Sequence, residues 1–237
     1  MNDTAFFPLV EIGGTPRRRG ELYGEQARER IGRSVELYAG QLGGLGVDRS
    51  GVERLVGTFL PKIREWAPDL VEEMEGIAAG ANIDLASVAL VNARTEVLQL
   101  AHREAGIADD DPDGCTGAVL LPEATAEGHV IHGQNWDWKA ECAETSVVVK
   151  IARDDGPDIL TFTEAGGLAR CGMNAAGVAI TANYLECDRD YRDLGIPLPF
   201  IRRRALETQH FAMALRVVAI TPKSGSNNMM LSTAEGD

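Results

Sequence analysis

Over the first hundred residues the apolar positions recur every three or four places, and after residue 115 they alternate. Tyr23, Ala27, Ile31, Val35, Tyr38 and Leu42 form one stripe of a helix. Thr15 can cap its start, Pro16 suits the first helical position, and Gly43-Gly44 ends it. The pattern predicts a second helix over about 52–66 and a third from Pro68 to about Gly80. A fourth follows Asp84 as N-cap, with Leu85, Val88, Val91, Leu98 and Leu100 on inward positions. Asn92, Arg94, Thr95 and Glu96 interrupt that apolar face; they read either as structural pairs or as support for the region around Cys115. Before the helices, residues 8–14 read as a short strand ending at Gly13-Gly14.

Residues 118–121 and 130–136 read as two strands joined by a polar turn that contains Pro122 and Glu127-Gly128. Val147, Val149 and Ile151 alternate, 159–163 is a further strand, and 168–173 and 178–184 flank a turn at 174–177. Pro197 and Pro199 open a helix carrying Ile201, Ala205 and Leu206, and 211–220 forms another. Residues 228–233 are the last predicted strand, and 235–237 resemble a hairpin turn without its returning strand, so truncation is expected. The shift from helical to strand periodicity falls at the acidic run 108–113. Without a linker or repeat, the expectation is one α+β domain over 1–237, helical over residues 1–114 and β-rich over residues 115–237.

The hairpin carries the candidate chemistry. Positions equidistant from an antiparallel turn face one another, so a turn centred near 125–127 sets Cys115 opposite a residue between roughly 135 and 139. That arrangement is expected to bring the thiol beside the Asp137 carboxylate. Gly114, lacking a side chain, leaves its carbonyl open to close approach. Attack by Cys115 on that carbonyl gives a thioester, and hydrolysis frees the α-amine of Cys115. An α-amine of pKa about 7.7–8.0 is partly neutral near pH 7 and can take the thiol proton. Asp137 would hold the amine by a charge-assisted hydrogen bond. Asn183, near a strand end, is the candidate oxyanion donor, and Asn135, on the strand face of Asp137, is a second. Singly, each asparagine also fits an ordinary turn or strand-end role. Cys142, Cys171 and Cys187 read as small buried apolar groups.

Charge narrows the partners. A net charge of −13 disfavours nucleic acid and anionic membranes. The N-terminus lacks the basic and apolar segments of a secretory signal, and no apolar run is long enough to span a bilayer. Four cysteines without a C-x-x-C pair suit a reduced, cytoplasmic compartment. No metal is expected: the acidic run lacks EF-hand spacing, and His129, His132 and Cys142 make a poor ligand set.

Asp113-Gly114-Cys115-Thr116 followed by Gly133-Gln134-Asn135-Trp136-Asp137 resembles the acyl-coenzyme A:6-aminopenicillanic acid acyltransferase (isopenicillin N acyltransferase) family of N-terminal-nucleophile hydrolases. Thr163-Glu164-Ala165-Gly166, Gly172-Met173-Asn174-Ala175-Ala176-Gly177-Val178, Ala182-Asn183-Tyr184 and Gly195-Ile196-Pro197-Leu198-Pro199 extend the resemblance. So do the helical segments 20–26 and 75–81. The resemblance implies an αββα sandwich, self-cleavage between Gly114 and Cys115, Cys115 as nucleophile and Asp137 as the group positioning its amine. It makes residues 115–237 the beginning of the catalytic portion, with the two fragments staying associated. The implied substrate is a small-molecule amide or acyl donor, acyl-coenzyme A included, with no cofactor; related enzymes act on penicillins and conjugated bile acids. Members of the family continue past this point and take an oxyanion asparagine from a later strand. The second reading is therefore a truncated or non-catalytic member that folds but neither cleaves itself nor turns over substrate.

Overall fold

Strand β1 (Leu9–Gly13) leads into α1 (Pro16–Gly44), where the Thr15 hydroxyl accepts the Arg18 amide at 3.3 Å. The structure, a computed structural model, describes residues 7–107 and 114–236. Helices α2 (Arg49–Gly57), α3 (Leu60–Trp66), α4 (Pro68–Ala81), α5 (Leu85–Asn92) and α6 (Arg94–Ala105) follow. Two predicted helices are thus each broken in two. Pro61 has no N–H to continue a helix from α2, so the chain tightens at Thr58 and Phe59 and restarts. Between α5 and α6 the cause is tertiary. The Asn92 amide donates to Val88 O and, across the fold, to Gly166 O, while its carbonyl accepts Leu168 N at 2.8 Å.

Helices α1 and α4 touch through their backbones. A Cβ on Gly20 would lie 2.0 Å from Glu73 O, and one on Gly76 would lie 2.3 Å from Arg17 O. Gly24 and Gly80 are as tight, against Ile77 O and Glu21 O. Beside this seam Glu73 is 1% exposed and accepts from Arg19 and Arg203, tying both helices to a later one.

The hairpin is β2 (Gly114–Leu120) and β3 (Ile131–Asp137), joined through a 3-10 turn at Pro122–Ala124. A short helix α7 (Cys142–Thr145) precedes β4 (Ser146–Ala152), β5 (Ile159–Glu164), β6 (Cys171–Asn174) and β7 (Val178–Tyr184). Then come α8 (Leu198–Leu206), α9 (Phe211–Ile220) and β8 (Asn227–Thr233). Six strands form one sheet in the order β1-β4-β5-β6-β7-β8, with β1 parallel to β4 and the other pairs antiparallel. Strand β6 is shorter than predicted. Residues 165–170 leave the ladder as a buried loop whose backbone is satisfied by Tyr23 and Asn92, and Gly166 takes φ +90° there.

One face of the sheet carries Val147, Val149, Ile151, Ile159, Val178 and Ile180 into a core shared with the helices. On the other face the hairpin lies over β7 and β8. His132 bonds the Thr181 and Ser232 hydroxyls at 2.8 Å each, and the Gln134 amide donates to Ala182 O. The architecture is mixed α+β. Among the described residues no helix is long and apolar enough to cross a membrane.

Candidate active site

The hairpin register pairs Gly114 with Asp137, Cys115 with Trp136 and Thr116 with Asn135. Side chains alternate across a strand. Cys115, Gln134 and Trp136 therefore point towards the sheet, while Asn135 and Asp137 point outwards with Gly114 and Thr116. The thiol and the Asp137 carboxylate lie on opposite faces, not side by side as the sequence suggested. What Asp137 adjoins is the start of the peptide itself: a Cβ on Gly114 would lie 3.6 Å from Asp137 Oδ2. Asn135 shares that outward face and is not brought to the thiol.

Asn183 is brought there. Its Nδ2 donates to Cys115 O at 3.3 Å, and its Oδ1 accepts Gln134 Nε2 at 2.8 Å, which fixes the amide's orientation. Asn227 Nδ2 donates to its backbone carbonyl at 2.9 Å. Antiparallel pairing of β7 with the adjacent β8 sets this position, since Asn183 pairs with Asn228.

Arg170, which sequence reasoning did not single out, reaches the thiol. It stands just before β6 and is 8% exposed. Its Nη2 lies 3.6 Å from Cys115 Sγ, its Nη1 donates to Ala182 O at 3.4 Å, and the guanidinium stacks 4.1 Å over Trp136. Burial, and then the like charge of Arg94, weaken its hold on its proton. The only local signal was a lone arginine inside an apolar run, Gly167-Leu168-Ala169-Arg170-Cys171.

Glu164, from the Thr-Glu-Ala-Gly segment, anchors the layer behind. It accepts Arg94 Nε at 2.7 Å and meets the Tyr38 hydroxyl and, at 3.4 Å, Cys142 Sγ. Arg94 thus fills the structural reading, though it also stands 5.9 Å from the Trp136 ring. Burial first, and Glu164 second, push the Cys142 thiol up to about 12, so it stays protonated. Cys171 is half-buried and also raised by burial. Cys187 is exposed, contrary to expectation, in a turn where it bonds Asp190. His132 is occupied by two hydroxyls, and the His129 carbonyl accepts from Thr125 in the turn. Among the described residues no group of His, Cys, Asp or Glu is arranged to hold a metal ion. The acidic run 108–113 lies outside the described residues.

Two recesses flank Arg170. One, of about 430 Å³, runs between hairpin and sheet and is lined by Phe7, Trp136, Trp138 and Phe162 among others. The other, of about 50 Å³, lies towards α8 between Arg94, Glu96, Arg170 and Arg202.

Comparison with known proteins agrees with these motifs. Residues 124–237 match the family model described as acyl-coenzyme A:6-aminopenicillanic acid acyl-transferase. Over 200 residues, 84% of the chain, the sequence is 30% identical to the 40 kDa form of acyl-coenzyme A:6-aminopenicillanic-acid-acyltransferase of Emericella nidulans. The match covers 53% of that relative, so the chain spans about half its length. By motif and by similarity, the chain matches the acyl-coenzyme A:6-aminopenicillanic acid acyl-transferase family.

Proposed function

We propose that the protein is a self-processing cysteine amide hydrolase or acyltransferase of the N-terminal-nucleophile type, with sheet and hairpin as the two β layers of an αββα sandwich. The observation that carries this reading is the two-sided setting of one peptide bond. Arg170 and Asn183 meet Cys115 on the inner side, and Asp137 covers Gly114 on the outer side. In the first step Cys115 Sγ adds to the Gly114 carbonyl. The C–N bond breaks as the nitrogen takes up the thiol proton, and water then cleaves the thioester to release the Gly114 carboxylate. The freed α-amine lies on the Asp137 side, where a carboxylate favours its orientation.

In the substrate step that amine takes the Cys115 proton, and the thiolate attacks an amide or acyl-thioester carbonyl; the substrate's C–N or C–S bond breaks, and the amine or thiol leaves with the proton that the α-ammonium returns. Arg170 supplies positive charge beside the sulfur, and Asn183 supplies an N–H donor on the same side. Asn135 faces outwards and so would serve only the Gly114 carbonyl during self-cleavage. The acyl-enzyme passes its acyl group to water or to an amine. The apolar recess beside Trp136 suits the acyl group.

A denaturing gel and the fragment masses of the protein at its natural length test this. Two fragments split before Cys115 are expected, and one uncut chain in Cys115→Ala. Acyl transfer by a natural-length protein whose 114–115 bond is whole overturns the reading. An uncut wild-type chain without turnover is the result expected of a non-catalytic member.

A further inference from the structure

The side-chain amide of Asn183 reaches Cys115 with its nitrogen foremost, and nothing in asparagine itself decides that. The two ends of an amide have almost the same shape, so its sense is set by its partners. Here the partners form one chain of hydrogen bonds that starts and ends on backbone carbonyls. Gln134 Nε2 donates to Ala182 O at 2.6 Å and to Asn183 Oδ1 at 2.8 Å, and Asn183 Nδ2 donates to Cys115 O at 3.3 Å. A carbonyl can only accept, so the Ala182 end fixes which way Gln134 lies. Turning Gln134 round would set its oxygen against both Ala182 O and Asn183 Oδ1. Gln134 Oε1 is buried and has no partner among the described residues, so the donors, not the acceptor, hold this side chain. The hairpin register makes room for the pair. Gln134 lies opposite Gly117, where a Cβ would come within 3.5 Å of Asn183 Oδ1 and 2.5 Å of Met230 Cε. The Asn183 backbone is fixed separately, by Asn227 Nδ2 at 2.9 Å and by the ladder between β7 and β8.

We propose that Gln134 is a positioning residue of the substrate step: it acts through Asn183, by holding the amide N–H groups towards the carbonyl oxygen on which negative charge develops. The inference rests on the roles of Cys115 and Asn183 proposed above. Donors stabilise an oxyanion best when they are aimed before the charge forms, because turning them during the reaction costs part of the gain. Free to turn, Asn183 would spend part of its time with an oxygen where that charge appears. Gln134 removes this freedom by leaving only the Asn183 oxygen a partner on its own side. Arg170 Nη1 shares the Ala182 carbonyl at 3.4 Å, so that carbonyl keeps a donor when Gln134 is replaced.

The test uses the natural-length protein and para-nitrophenyl acetate, an activated ester that a cysteine nucleophile turns over, with Cys115→Ala as the background. Gln134→Met keeps the length of the side chain and removes its donors. Gln134→Glu sets an acceptor in place of the donor facing Asn183 and so turns the amide round. With Asn183 present, kcat should fall about tenfold in Gln134→Met and about a hundredfold in Gln134→Glu, with KM within about threefold of wild type. In the Asn183→Ala background the three side chains at position 134 should differ by no more than about threefold, because the residue through which they act is gone. A role in packing alone would move the melting point and would survive the loss of Asn183. If one of the two variants does not fold, the other carries the comparison. The proposal is overturned by an unchanged kcat in the folded variants, by a loss confined to KM, or by a spread that persists in Asn183→Ala. A wild type no faster than Cys115→Ala removes the proposed function and this inference with it. A fast wild type that is indifferent to position 134 removes this inference alone.

Discussion

Replacing Glu73 by alanine should be among the most damaging single changes outside the site. Its Oε2 accepts Arg19 Nε at 3.1 Å and Arg203 Nη2 at 2.8 Å, and its Oε1 accepts Arg203 Nη1 at 2.9 Å. Arg203 would keep Glu207 at 3.0 Å, but Arg19 would keep only the Gly14 carbonyl. One buried guanidinium is thus left without a counter-charge, which costs about 3–5 kcal/mol. At roughly 2–4 °C per kcal/mol for a chain of this size, the melting midpoint should fall by roughly 6–20 °C. Urea and thermal unfolding, followed by two probes to test for two-state behaviour, measure it. Glu75→Ala, which removes exposed partners of Arg17 and Arg64 on the same helix, is the control and should change stability by about 0.5 kcal/mol or less. Adding Arg19→Met to Glu73→Ala should recover part of the loss. If Glu73→Ala costs under about 1 kcal/mol, or if Arg19→Met deepens the loss, the charge argument is refuted.

Gly76→Ala sets a methyl 2.3 Å from Arg17 O and must part α1 from α4, costing about 1–3 kcal/mol or more, whereas Gly40→Ala, with open space around it on α1, should add about 0.5–1 kcal/mol. Denaturant midpoints of the two variants separate these signs. His132 has its basicity lowered by burial, so the unfolded chain takes the proton first as pH falls. Its stabilisation is complete above about pH 6.5 and drains away below it, and the gap in stability between wild type and His132→Gln should narrow over that range. Asn183→Ala should slow acyl transfer by about 10²–10³ through loss of one donor, while leaving the melting point nearer wild type than Glu73→Ala does.

Much of the fold was legible because local chemistry decided it. Thr15 and Asp84 cap their helices as their residue types demand, and β7 runs over 178–184 as its alternation required. Counting outwards from the turn gave the hairpin register to within a residue or two. The failures have tertiary causes, apart from Pro61, whose missing N–H was visible in the sequence. Asn92 divides α5 from α6 because it bonds a loop 74 residues away in the chain, and that same loop shortens β6.

The sequence named Asn183, which the fold brings to Cys115, but not the sides on which the hairpin residues lie. The register range allowed for Cys115 included partners of either parity, and in a strand one residue decides the face. With Trp136 opposite the thiol, Asp137 falls on the far side of the hairpin, away from the sulfur and beside Gly114. Arg170 carried little local signal, since an isolated arginine in an apolar stretch most often ends up paired. The motif segments 20–26 and 75–81 looked unrelated to chemistry, yet they form the glycine seam beside Glu73. Glu73 holds Arg203 of α8, and Arg202 is the residue before it, about 100° round the same helix. The helix that Glu73 clamps is therefore the one that carries Arg202 into the recess, so the glycine seam and the arginine recess constrain each other through a single turn of α8.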